Sequence, residues 1–419
     1  MKKALAFLLA LLMCFSLVAC NSNNANTPSP ATPTPTAEML TSEAPEQEKP
    51  ETLRIGAVAS LTGWFAPIDN SNVNAMMALV DVINERGGWE IGGKNYLIEL
   101  IVSDLQSDPS MARTAAMDLI DKNLDFVLET TDLFVKGIVD VWEEHKVMHI
   151  CQFPNSITFG GPNTPHLFYS SGGAWANYDA ALRALVQEFP DAKTIAYCEI
   201  ANGSNEDNFE IMIKPAAAKL GLTVLPDPII YDGSTTEFSA VALSLFKSGA
   251  DAFIGATTPT NQGAIIRELR GLGSDMIAVT ANPQSLVTMG NIAGPDAAYN
   301  MISLATLPGS DGLTQIYNDT HARYAEVNGE EAAKVLDPLS PNSLYVLLQM
   351  MSIAGTTDKQ TVMDTWIAQD TVDTLTGTAL VCGAQSFGTK RMVATPQGIS
   401  VRSGNGELAF HGYLQCYVS

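Results

Sequence analysis

Residues 53–60 read LRIGAVAS, and Leu61, Thr62 and Gly63 follow with the composition of a loop. A short, nearly continuous apolar run closed by a turn signal reads as a strand buried on both faces. Working outward, residues 70–85 set Ala75, Leu79, Val82 and Ile83 on one side at helical spacing, and Gly87-Gly88 ends that helix. Strands are predicted at 96–102, 125–128 and 147–151, with helices at 109–122 and 136–145 between them. A loop rich in Gly, Pro and Asn covers 154–166, and the rhythm then repeats. Helices at 178–189, 208–220, 238–248 and 262–272 alternate with strands at 194–198, 222–226, 252–256 and 276–280. Alternating strands and helices predict an α/β fold in two lobes, each a mostly parallel sheet flanked by helices. The last quarter carries a helical segment near 344–354 and two strand-like stretches, which complete these lobes instead of forming a third domain.

The amino terminus has a different character. Lys2 and Lys3 precede the apolar run ALAFLLALLMCFSLVA at 4–19, which ends at Cys20 and is followed by NSNN. That is the layout of a signal peptide over 1–19. Small or aliphatic residues before the cysteine resemble a bacterial lipobox, which implies lipidation of Cys20 and anchoring at the outer face of a membrane. Residues 20–51 are dominated by Pro, Thr, Ser, Asn and Glu and are expected to form a disordered tether.

Composition narrows the function classes. The 419 residues hold 23 Lys and Arg against 45 Asp and Glu, a net charge of −22. No basic run offers itself to a phosphate backbone, so nucleic acid is not an expected partner. Of six cysteines, Cys151, Cys198, Cys382 and Cys416 remain after the signal and the anchor, too widely spaced for a zinc site. Cys382–Cys416 is the candidate disulfide, with buried free thiols as the alternative. No GxSxG, HExxH, P-loop or dinucleotide fingerprint occurs in a suitable context, the five histidines are dispersed, and no cofactor or metal is expected.

One resemblance gathers these features. Ile55-Gly56, Ser60-Leu61-Thr62-Gly63, the run VINERGG at 82–88, Gly92-Gly93 and SDLQSDP at 103–109 stand in order. Ala115 to Ile120 leads into the strand at 125–128, and Gly398-Ile399 and Gly404-Asn405-Gly406 mark the tail. Over 53–419 the chain resembles the type I periplasmic binding proteins, and within them the leucine/isoleucine/valine-type substrate-binding components of ABC importers. The resemblance implies two lobes, 52–168 with 303–377 and 169–302 with 378–419. They would be joined by three hinge crossings near 166–170, 298–303 and 375–380. It also implies a monomer that captures an amino acid or related small carboxylate or amide between the lobes and delivers it to a permease. A ligand-sensing receptor component of the same fold is the alternative.

Ligands of open α/β sheets bind at the carboxyl ends of the strands. That rule places Thr62 and Gly63 at the cleft mouth. In the resembled family a Ser or Thr at Thr130 or Thr131 holds the ligand's α-carboxylate, and the residues at Phe153 and Ser156 grip its amino and carboxylate groups. The chain departs from the family here, since Phe153 and Pro154 replace small residues. In the second lobe, Thr257 stands where the family has an aromatic and Asn282 where it has the carboxylate that balances a ligand amine. Trp64 and Trp175 fall in expected cleft loops and offer apolar or cation–π faces.

Overall fold

The apolar run that decides the fold is β1 (Glu51–Ala59), buried from Ile55 onward and set between two parallel neighbours. The structure, a computed structural model, describes residues 50–134, 137–154, 160–281, 285–307 and 311–416. The expected signal peptide, Cys20 and all of the tether but its last two residues lie outside the described residues, as do Ser156 and Asn282. Among the described residues no helix is long and apolar enough to cross a membrane, and no group of His, Cys, Asp and Glu is placed to hold a metal.

The first lobe takes β1, β2 (Trp89–Ile91), β3 (Lys94–Asp104), β4 (Phe126–Glu129), β5 (Met148–Cys151) and β6 (Leu167–Tyr169). The second takes β7 (Thr194–Ile200), β8 (Thr223–Val224), β9 (Ile229–Tyr231), β10 (Ala252–Gly255), β11 (Ile277–Thr280) and β12 (Met301–Ser303). The chain returns to the first lobe for β13 (Thr371–Thr374), β14 (Gly377–Cys382) and β15 (Met392–Ala394), and ends in the second with β16 (Gln397–Arg402) and β17 (Leu408–Leu414). The first sheet runs β13-β14-β15-β6-β5-β4-β1-β3-β2 and the second β17-β16-β12-β11-β10-β7-β8, with β9 also paired to β7. Central pairs in both are parallel, and the antiparallel pairs lie toward the edges.

Helices cover both faces of each sheet, which is why the central strands are apolar on both sides. In the first lobe α1 (Ala66–Glu85) packs Val73, Met76, Leu79 and Val80 on one face with the helix Asn342–Ala354. The other face is closed by α2 (Ala112–Ile120) and α3 (Val139–Glu144), whose Trp142 is fully buried. Gly88 ends the α1 turn at φ +103°, where a Cβ would sit 2.6 Å from the Tyr96 carbonyl oxygen. The second lobe buries α4 (Gly173–Glu188) against β11, β12 and β16.

The crossings depart from expectation in one place. The first two follow β6 and β12, close to the predicted 166–170 and 298–303. The third falls between Ala394 and Gln397 instead of at 375–380, because β14 and β15 add to the first sheet. Residues 378–394 therefore belong to the first lobe, where Ala379, Val381 and Val393 enter its core. The crossing strands are tied together, with Thr395 Oγ1 and Asn342 Nδ2 both donating to the Ser170 carbonyl, at 3.0 and 3.2 Å. All four cysteines considered for disulfides are buried, and none is joined in a disulfide. Cys382 and Cys416 share one core cluster as apolar residues, and burial pushes the Cys416 thiol up to about 12.

Candidate solute-binding cleft

The carboxyl ends of the parallel strands in both lobes face one cavity of about 510 Å³. Its first-lobe wall is built from the loop after β1, the first turn of α1, and the loops after β4 and β5. The second-lobe wall comes from the loops after β7 and β10 and from Ser285 and Thr288. Val335, Asp337, Leu339 and Ser340, ahead of the helix Asn342–Ala354, complete the lining. The volume lies within the usual range for small-molecule sites, about 300–1,000 Å³.

Several residues expected at the cleft fall on the cavity wall. Trp64, Thr130, Thr131, Phe153 and Thr257 all line the cavity. Trp64 packs edge-to-face on Phe65 and Phe134, with ring centres 5.3 and 6.0 Å away, and Phe65 and Phe134 meet at 5.5 Å. These rings form an aromatic flank on the first lobe.

Thr62 and Gly63 serve a different purpose: they are not part of the lining and they shape the loop that carries Trp64. Thr62 Oγ1 donates to Asp104 Oδ2 at 2.8 Å, and Ser107 Oγ donates to the Thr62 carbonyl at 2.7 Å. Gly63 has φ +87°, and a Cβ there would meet Ser107 Oγ at 2.6 Å. Trp175 is not at the cavity either. Helix α4 starts at Gly173, five residues before the predicted 178, and carries Trp175 half-buried against the second-lobe core.

The chemistry of the wall rests on residues that pattern reading passed over. Asp69 is fully buried in the first turn of α1. Its Oδ2 accepts from the Ser60 N–H at 2.6 Å, whereas its Oδ1 has no hydrogen-bond partner. Desolvation raises Asp69 to about 6, against the opposing pull of the Ser60 N–H and, more weakly, of the Thr130, Asn72 and Ser60 side chains. Thr130 Oγ1 and Gln152 Oε1 on the same wall are also buried without partners. The strand ends that carry them are held from beneath. Trp142 Nε1 donates to Glu129 Oε1 at 2.7 Å, and His149 Nδ1 lies 3.1 Å from the same oxygen.

On the opposite wall Glu199, at the end of β7, is also buried. Tyr178 and Tyr197 both donate their hydroxyls to its Oε2, the latter at 2.5 Å, and Asn202 Nδ2 donates to Oε1 at 2.8 Å. Desolvation raises its pKa, and these three hydrogen bonds oppose the rise. Burial pushes Asp337 up to about 7. No Lys, Arg or His side chain is found among the described lining residues.

One signal for Asp69 was present in the sequence. It falls on the apolar stripe of α1 with Val73, Met76 and Val80, where a charge is out of place unless something pairs with it. Glu199 interrupts an apolar strand in the same way.

The arrangement can enclose and desolvate a small solute between two lobes, and no nucleophile–base pair occurs among the described lining residues. A family model described as periplasmic binding protein matches residues 52–395. A search of curated proteins found no match. Among solved structures, an ABC transporter substrate-binding protein from Aeropyrum pernix superposes with a TM-score of 0.72 at 18% identity, covering 87% of this chain and 96% of that one. A branched-chain amino acid transporter substrate-binding protein from Streptococcus pneumoniae, in complex with isoleucine, gives 0.68 at 16% identity over 87% and 99%. A solute-binding protein from R. palustris, in complex with benzoate, gives 0.69 at 13% identity over 88% and 98%. With its two lobes and mixed sheets, the chain belongs to the periplasmic binding protein family, as an extracytoplasmic solute-binding protein with the type I architecture.

Proposed function

We propose that the protein captures an amino acid, or a related small carboxylate or amide, between its lobes and delivers it to an ABC permease. The observation that carries this reading is the cavity itself. It has the volume of a small solute, an aromatic flank, and buried polar atoms left without partners on one wall. Buried polar groups are ordinarily satisfied, so unpartnered ones at a cavity mark places that a ligand fills. The isoleucine and benzoate held by two structurally similar proteins support a ligand with a compact apolar body.

Binding works by differential affinity. A solute that touches both walls stabilises the closed arrangement over the open one, and the population shifts accordingly. We further assign Cys20 as a lipid anchor after cleavage of residues 1–19, with 20–51 as the tether that keeps the body near its membrane partner.

Thermal denaturation of residues 50–419 with amino acids, small carboxylates and amides tests the solute class. A ligand at 100 times its Kd adds about 2.7 kcal/mol to stability, enough to raise the unfolding midpoint by several degrees. No shift with any member of the panel overturns the proposed class.

A further inference from the structure

The geometry points to a primary ammonium group as what the first-lobe wall recognises, with Asp69 as its counterion and Thr130 and Gln152 completing its hydrogen bonds. This rests on the solute-binding reading above and specifies the ligand's chemistry. It also reverses the polarity implied by the sequence resemblance, in which Thr130 or Thr131 would hold a carboxylate.

Three observations carry it. First, Asp69, Thr130 and Gln152 each leave one buried oxygen without a partner. An alkylammonium has three N–H donors and no acceptor, so three unpartnered oxygens on one wall match its donor count. Second, the sheet brings these residues into a row. Val58 of β1 pairs with Glu129 of β4, and Glu129 pairs with Cys151 of β5. Thr130 and Gln152 are therefore the next residues on neighbouring strands, which run about 4.8 Å apart. The Gln152 N–H donates to the Glu129 carbonyl at 2.7 Å, and Asp69 is hooked over the end of β1 through the Ser60 N–H. Third, the ionisable side chains on the described wall are Asp69, Glu199 and Asp337, all acidic. A ligand carboxylate at Thr130 would stand beside a buried carboxylate with no basic side chain in the described lining, whereas an ammonium relieves the charge already there.

Two matched sets of probes separate the groups: benzylamine against benzoate, and L-isoleucine and 2-methylbutylamine against 3-methylpentanoate. Calorimetry at pH 8 on residues 50–419 should show the three ammonium-bearing probes bound at least tenfold more tightly than the two plain carboxylates. Asp69→Asn keeps the shape and the acceptor for the Ser60 N–H but removes the charge. It should weaken the amines tenfold or more and leave the carboxylates unchanged or improved. Thr130→Val, read in parallel, should cost the amines about three- to tenfold through one lost hydrogen bond. A structural role for Asp69 predicts instead that Asp69→Asn lowers the unfolding midpoint without selecting between the two probe types. Carboxylates that bind as tightly as their matched amines would overturn the ammonium assignment and leave solute binding standing. Failure of all five probes would overturn the ammonium assignment, and the thermal panel of amino acids, carboxylates and amides would then decide the solute-binding reading.

Discussion

Asp69 in the first lobe and Glu199 in the second are carboxylates taken out of water at the same cleft, yet their surroundings differ. Glu199 accepts two tyrosine hydroxyls and an asparagine amide, so both of its oxygens are occupied by its own lobe. Asp69 has one oxygen on a backbone N–H, and its Oδ1 meets no donor at hydrogen-bond geometry. A desolvated carboxylate with full partners is a structural element, and one with an open oxygen is a binding element that lowers stability until a ligand arrives. The two carboxylates thus divide the work: Glu199 is satisfied by its own lobe, and Asp69 holds the unmet demand at the cleft.

Removing Glu199 gives the largest effect. Glu199→Ala leaves the Tyr178 and Tyr197 hydroxyls and the Asn202 amide without their acceptor and opens a cavity beneath the wall. The expected loss is about 3 kcal/mol of unfolding free energy, measured by urea denaturation. A loss below about 1 kcal/mol would show that the network is not structural and would dissolve the contrast with Asp69.

The opposite sign is expected at Asp69. Its folded pKa, about 6, lies above the ordinary 3.8, so the folded state binds the extra proton between these values. Its contribution to stability is complete below pH 4 and is lost as pH rises through 6. Asp337, raised to about 7 by burial, behaves in the same way. His149 adds to the trend. Burial pushes its pKa down, but Glu129 and Glu143 outweigh that and raise it, so its stabilisation also fades above the ordinary 6.5. The ligand-free protein should therefore have a lower unfolding midpoint at pH 8 than at pH 5. Asp69→Asn should recover part of the difference, at most about 3 kcal/mol. A midpoint that rises from pH 5 to pH 8 would contradict the burial assigned to these groups.

The same contrast explains what the sequence disclosed and what it withheld. Strands such as β1 and β4 were legible because an apolar run of their length is buried on both faces, and the residues after them then fall at the cleft by topology alone. That is how Thr130, Thr131, Phe153 and Thr257 were located. The three-residue strands β6, β9 and β12 were not legible, since so short a segment becomes a strand only through the neighbours it pairs with. The sheet to which β14 and β15 add is likewise a tertiary choice, and it moved the third crossing. Asp69 was missed because the predicted helix began at residue 70, whereas α1 starts at Ala66 and takes Asp69 into its first turn. Glu199 was missed because the predicted strand stopped at 198, whereas β7 runs to Ile200.

Trp64 offers the smallest stability effect and the finest test of the division between walls. Its side chain is 57% exposed although it lines the cavity, and its contacts are the edges of Phe65 and Phe134. An aromatic with more than half of its surface in water contributes little to folding, so Trp64→Ala should change the unfolding free energy by less than about 1 kcal/mol. If the first lobe is the wall that waits for the ligand, this ring gains its burial only when a solute is enclosed. Benzylamine affinity should then fall several-fold in Trp64→Ala while the ligand-free midpoint barely moves. The reverse pattern, a clear loss of stability with unchanged affinity, would make the aromatic flank part of the lobe's own packing. Ligand recognition on that wall would then rest on Asp69, Thr130 and Gln152 alone.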